Sequence, residues 1–174
     1  MKVAIFCSAN THISAAYKIA GDEMGHFLGS HGHTLVFGGC NLGLMEITAR
    51  ATHEAGGRTI GVIPSIIEKS GRVSDYVDIE IPCDNLSDRK ELMMAQCDIA
   101  IALPGGIGTL DEIFTMAASA TIGYQHKPIY IYNINGFWDD LIRLLENLEK
   151  QEMIRGDWQN ILHVATQISD IFPK

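Results

Sequence analysis

Short apolar runs, several of them uniformly apolar, alternate along the chain with longer stretches whose apolar residues recur at helical spacing. Apolar runs without polar alternation belong to strands covered on both faces, which is the habit of parallel strands joined by crossover helices. The pattern predicts strands at Val3 to Cys7, Thr34 to Phe37, Thr59 to Ile63, Asp78 to Ile81, Ile99 to Leu103, Ile129 to Tyr132 and Ile161 to Val164. Helices are predicted near Ser14 to Gly29, Leu44 to Ala55, Asp88 to Gln96, Leu110 to Ile122, Trp138 to Lys150 and Ser169 to Phe172. Ser14 and Ser87 stand where N-caps belong, and Gly32 and Gly56 where a helix end wants positive φ. The expected class is α/β, an open, mostly parallel sheet of about seven strands with helices on both faces. Ser65 to Tyr76 is the least regular stretch and reads as a surface connector.

Two glycine-rich turns follow predicted strands and open predicted helices: Gly38-Gly39-Cys40-Asn41-Leu42-Gly43 and Pro104-Gly105-Gly106-Ile107-Gly108-Thr109. Turns in that position line the crevice beyond the carboxyl ends of an α/β sheet. Glycine lets backbone N–H groups approach an anion, and the following helix aims its free donors at the same point. Both turns are therefore expected to be phosphate cradles. The first continues Leu44-Met45 where a P-loop requires Lys-Ser/Thr, which excludes that motif, and the second lacks the third glycine of a dinucleotide fingerprint.

Composition narrows the function classes. A chain of 174 residues with 47% hydrophobic content suits one domain, residues 1–174, with a sizeable core. Its net charge of −8 disfavours nucleic acid as a partner without excluding a mononucleotide held by local donors. The apolar runs are too short to cross a bilayer, and Met1 to Cys7 is too short for a leader, so no membrane association and a cytoplasmic location are expected. Cys7, Cys40, Cys83 and Cys97 lack the spacing of disulfide or zinc frameworks and read as small buried hydrophobes. His31-Gly32-His33 lacks partners at ligand spacing, so neither metal nor cofactor is expected.

Pro104-Gly105-Gly106-Ile107-Gly108-Thr109-Leu110-Asp111-Glu112, with Asp88-Arg89-Lys90 upstream, resembles the PGGxGTxxE and ERK signatures of the Lonely Guy family. Cys7-Ser8, Gly38-Gly39, Gly43-Leu44-Met45, Gly56-Gly57, Gly61 to Pro64, Lys127-Pro128 and Gly136-Phe137-Trp138-Asp139 extend the resemblance over nearly the whole chain. The resemblance implies a Rossmann-like fold, a homodimer and hydrolysis of the N-glycosidic bond of purine nucleoside 5′-monophosphates. By the same resemblance, Arg89 and Glu112 match the catalytic pair, and Gly105, Gly106, Gly108 and Thr109 match the phosphate loop. Ser8, Gly39, Met45 and Lys90 fall on further site-lining segments. Related Rossmann-like proteins bind molybdenum cofactor, so a non-catalytic nucleotide or cofactor carrier is the alternative expectation. Cys40, Glu46, Leu86-Ser87-Asp88, Ser119 and Thr121 depart from the family pattern, which leaves AMP and cytokinin-type nucleotides both open as substrates.

The chemistry fits those roles. Cleaving a ribosyl C–N bond builds positive charge on the sugar, which a nearby carboxylate stabilises. Glu112, expected in the first turn of its helix, should then be held ionised by the helix dipole. Arg89, also in a first turn, is badly placed for that dipole and is expected to face an anion or Glu112.

Overall fold

The computed structural model describes residues 1–173. Strands and helices alternate strictly: β1 (Lys2–Phe6), α1 (Ala15–Ser30), β2 (Thr34–Phe37), α2 (Gly43–Glu54), β3 (Arg58–Pro64), α3 (Ser65–Lys69), β4 (Ile79–Cys83) and α4 (Leu86–Gln96). Then come β5 (Ile99–Ala102), α5 (Ile107–Thr121), β6 (Ile129–Tyr132), α6 (Asp139–Lys150), β7 (Leu162–Ala165) and α7 (Ile168–Ile171). The seven strands form one sheet in the order β4-β3-β2-β1-β5-β6-β7, and every pairing is parallel.

Successive strand residues point to opposite faces, so apolar strands build two cores. On one face Val3, Ile5, Leu35 and Phe37 pack under Met24 and Leu28 of α1 and Leu44 and Met45 of α2. On the other, Ala4, Phe6, Val36 and Ala100 pack under Met93, Ile113, Met116 and Leu145 of α4, α5 and α6. The α1–α2 contact is unusually close because Gly21, Gly25 and Gly29 recur along one stripe of α1. A Cβ at Gly25 would lie 2.5 Å from the Thr48 carbonyl oxygen, and one at Gly29 would lie 2.7 Å from Ala55 Cβ.

The strand order creates the functional geography. The chain moves outward from β1 to β4, then returns past β1 to place β5 on its other side, with Val3 level with Ile99 and Phe6 with Ala102. The connections leaving β1 and β5 diverge at this reversal and leave a crevice beyond the strand ends.

Several local expectations shift. α4 starts at Leu86 because Asn85, not Ser87, is its cap, the Asn85 side chain accepting from the backbone N–H groups of Ser87 and Asp88. Ser14 occupies the cap position of α1 without a side-chain cap bond. α5 starts at Ile107, three residues before Leu110, since Gly106 serves as its cap. Ser65 to Tyr76 contains the short α3 and a bridge from Val73 to Cys40, so it is less irregular than its composition implies. Gly32 and Gly56 follow α1 and α2 with φ of 69° and 83°, as the helix ends require. All four cysteines are buried and free.

Candidate active site

The crevice between the ends of β1 and β5 is a cleft of about 290 Å³. Cys7, Ser8 and Ala9 form one wall, Met45 and Arg89 reach in from α2 and α4, and Gly106, Gly108, Thr109 and Glu112 come from α5. Backbone hydrogen bonds tie these segments together: Ser8 N–H donates to Pro104 O at 3.1 Å, and Leu44 N–H donates to Ser8 O at 2.8 Å. Gly43 makes the second tie, with φ of 59° and no room for a Cβ, which would lie 2.6 Å from Ser8 O.

The amino end of α5 supplies anion donors. Its first intrahelical bond runs from Leu110 N–H to Gly106 O, and no side chain caps the helix. The N–H groups of Ile107, Gly108 and Thr109 therefore have no partner within the helix, and they lie at the positive end of its dipole. Nothing lies within 4 Å of a Cβ built at Gly106 or Gly108, so both present open backbone. Gly105 does not face the cleft; its missing Cβ makes room for the buried Thr109 side chain.

Glu112 lies farther down α5, only 8% exposed. Burial, opposed by the Arg89 guanidinium, pushes its carboxyl from 4.5 up to about 7; Asp111 raises it further and Lys90 lowers it. The expected dipole-held carboxylate is thus corrected. With α5 starting at Ile107, Glu112 lies in the second turn, where the dipole has faded and desolvation dominates. Near neutral pH the group exists in both protonation states.

Arg89 is half-buried on the cleft wall, and its Nε has no hydrogen-bond partner. Among the described residues it takes part in no ion pair, with Glu112 or any other carboxylate. An inward-facing guanidinium without a counter-ion is suited to receiving an anionic or hydroxyl-rich ligand. Lys90, the next residue, instead donates to Asp111 Oδ1 at 2.7 Å and braces α4 against α5 outside the cleft lining.

The first glycine turn presents less open backbone than the second. Gly38 is packed against the Arg89 guanidinium, and Gly39, with φ of 71°, against Ile63, where a Cβ would meet Cδ1 at 2.9 Å. The Ser65 to Tyr76 segment takes the backbone groups of this turn: Asn41 N–H donates to Arg72 O at 2.9 Å, and Ser74 N–H donates to Gly39 O at 2.8 Å. Of the sequence candidates, Ser8, Met45, Arg89, Gly106, Gly108, Thr109 and Glu112 meet in the cleft, whereas Gly39, Lys90 and Gly105 stand behind it. Cys7 and Ala9 join the lining without being among the site candidates; Cys7 belongs to the Cys7-Ser8 element of the resemblance, and both lie at or just past the end of β1, beside the reversal of strand order. Burial raises the Cys7 thiol far above its ordinary pKa and keeps it neutral. Among the described residues, no group of three or more His, Cys, Asp or Glu is arranged to hold a metal ion, and no helix is long and apolar enough to cross a membrane.

Residues 45–174 match the protein family described as "Possible lysine decarboxylase". The chain is 30% identical over 173 residues to the cytokinin riboside 5′-monophosphate phosphoribohydrolase LOG of Oryza sativa subsp. japonica, an alignment covering 99% of this chain and 72% of that protein. It is 29% identical over 174 residues to a protein of the same description from Arabidopsis thaliana, covering 99% and 76% of the two chains. Among solved structures, the molybdenum cofactor binding protein of the phototrophic bacterium Rippkaea orientalis matches with a TM-score of 0.74 and 22% identity, over 98% of this chain and 92% of that one. That likeness is one of fold.

Proposed function

The chain belongs to the Lonely Guy family, which the matching description calls possible lysine decarboxylases, and from that premise we propose that it hydrolyses the N-glycosidic bond of purine nucleoside 5′-monophosphates to free base and ribose 5-phosphate. One observation carries the reading: the free amides at the start of α5 and the buried carboxyl of Glu112 share one helix and one cleft. Glu112 follows Gly108 by four residues, a rise of roughly 6 Å along the axis. That span suits a 5′-phosphate at the helix end with the anomeric carbon beside Glu112.

In this reading the N–H groups of Ile107, Gly108 and Thr109 hold the phosphate, and Arg89 fixes the ribose or a phosphate oxygen. As the C1′–N9 bond breaks, the electron pair leaves with the base, and the positive charge on the sugar is met by the Glu112 carboxylate. Water then forms the new C1′–O bond and gives one proton to that carboxylate; the departing base nitrogen takes up a proton from solvent, to which the carboxyl afterwards returns its own. A carboxyl poised near 7 suits such an exchange, because an effective acid–base catalyst has a pKa close to working pH.

The base remains a matter of class: AMP or a cytokinin-type nucleotide, seated against Cys7, Ala9 and Met45. A homodimer is also part of the proposal, supported by Ile107 and Phe114 of α5 and Ile122 just after it, which leave large apolar side chains exposed; sedimentation equilibrium tests it. The alternative, a non-catalytic carrier of nucleotide or molybdenum cofactor, draws on the fold shared with a molybdenum cofactor binding protein. A carrier has no need of a buried carboxyl held near neutrality, which favours hydrolysis.

The test is release of adenine from AMP, followed by chromatography, beside Glu112→Gln and Arg89→Ala. Each variant is expected to lose about 10²-fold or more in rate, and adenosine, lacking the phosphate, to be hydrolysed far less efficiently than AMP. Equal rates for the parent and Glu112→Gln overturn the assignment, and tight nucleotide retention without base release supports a carrier.

A further inference from the structure

We propose that Gly38 is a positioning residue: the missing side chain at the end of β2 is the seat that holds the Arg89 guanidinium in the cleft. The inference rests on the reading of Arg89 as part of the hydrolytic site. Arg89 reaches from α4 across to the first residue after β2, and the guanidinium occupies the space where a Cβ at Gly38 would be. Such a Cβ would overlap Nη2 and lie 2.6 Å from Cζ and 3.3 Å from Nε.

Shape, and not a direct ion pair, fixes this side chain. Arg89 has no ion-pair partner among the described residues, and its buried Nε donates to nothing. A long side chain without polar anchors keeps one orientation only where packing leaves no other room, and its planar head lies flat against backbone best where no Cβ intervenes. Gly38 meets that requirement without a backbone reason for being glycine, since its φ lies outside the left-handed region. The contrast is Gly39, whose φ of 71° and contact with Ile63 require glycine for the turn itself. The two adjacent glycines therefore serve separate ends, Gly39 the chain path and Gly38 the place of a cation.

The geometry makes Gly38→Ala a clean probe, because the atoms nearest the added methyl all belong to the far end of one flexible side chain. The variant is expected to fold with the melting temperature of the parent while adenine release from AMP falls about 10²-fold, the usual effect of misplacing a reacting group by an ångström. In an Arg89→Ala background Gly38→Ala should cost nothing more, since the two act as one unit. The pH profile gives a readout that a packing role would not move. Arg89 lowers the Glu112 carboxyl, so Gly38→Ala and Arg89→Ala should both shift the kinetic pKa upward. Free guanidinium ion at millimolar levels should restore part of the rate to Arg89→Ala, whose seat stands empty, and none to the double variant, whose seat is filled. Full activity in Arg89→Ala overturns the hydrolytic reading of Arg89 and this proposal with it. Loss of activity in Arg89→Ala beside a fully active Gly38→Ala with an unchanged pH profile overturns the positioning role alone. Failure of Gly38→Ala to fold, or rescue of the single and double variants to equal extent, overturns it as well.

Discussion

Glu112→Gln should make the protein more stable above neutral pH while abolishing its activity. The carboxyl is raised from 4.5 to about 7, and the leading cause is burial. A group whose folded-state pKa exceeds its unfolded value contributes stability in its protonated form. That contribution is complete below pH 4.5, declines as pH rises, and is gone once the folded group has ionised above pH 7. Converting the shift gives roughly 3 kcal/mol, a large share of the net stability of an ordinary domain. Glutamine mimics the protonated carboxyl in shape and has no charge to desolvate, so it does not carry this cost. Urea unfolding of parent and variant is expected to show near-equal stabilities at pH 4 and an advantage for Glu112→Gln of about 3 kcal/mol at pH 8. Adenine release by the variant, measured on the same preparations, should be negligible. A stability difference independent of pH, or a variant weaker than the parent at pH 8, would refute the claim that desolvation governs this carboxyl.

Two further outcomes test the surrounding architecture. Gly25→Ala, whose Cβ would lie 2.5 Å from the Thr48 carbonyl oxygen, should force α1 from α2 and lower stability by about 1 to 3 kcal/mol, read from the thermal transition. Lys90→Met and Asp111→Ala both break the 2.7 Å brace, yet they should move the kinetic pKa of adenine release in opposite directions, since Lys90 lowers and Asp111 raises the Glu112 carboxyl; equal shifts would reduce the pair to a strut.

Most of the fold was legible because it depends on one-dimensional signals. Seven short apolar-rich runs, several without polar alternation, become seven parallel strands, and Gly32 and Gly56 end the helices they follow. What escaped depends on partners remote in the chain. Gly38-Gly39 has the composition of an anion cradle, but Asn41 N–H is taken by Arg72 O, Gly39 O by Ser74 N–H, and the space beside the two glycines by Arg89 and Ile63, none of which a local window contains. The state of Glu112 was misjudged for a related reason. Moving the start of α5 back by three residues removes the side chain from the helix dipole, and its burial arises from neighbours on other elements. Asn85 outcompetes Ser87 as the cap of α4 because helix ends are decided by side-chain geometry within a residue or two, finer than periodicity resolves. The candidate site was legible in part: the resemblance points to Arg89 and to the residues of α5 that meet in the cleft, while Lys90, Gly39 and Gly105 pack against neighbours outside its lining.

The arrangement of charge explains how a protein of net charge −8 can present a site for an anion. A direct ion pair between Arg89 and Glu112 would satisfy both groups and leave the cleft electrically closed, yet no such pair forms. Lys90 and Asp111, the residues beside them, do pair and so link α4 to α5 without consuming either cleft group. Arg89 remains a cation without a counter-ion, and Glu112 sits near the midpoint of its titration instead of being fixed as an anion. Both carry an energetic cost, because unpaired charge in a desolvated wall is destabilising unless something arrives to meet it. Residual strain of this kind concentrates where a ligand completes the electrostatics. The proposed hydrolysis accords with that arrangement, since a 5′-phosphorylated N-riboside would bring an anionic end to the amides of α5 and a centre that becomes positive beside Glu112, and an unphosphorylated one would not.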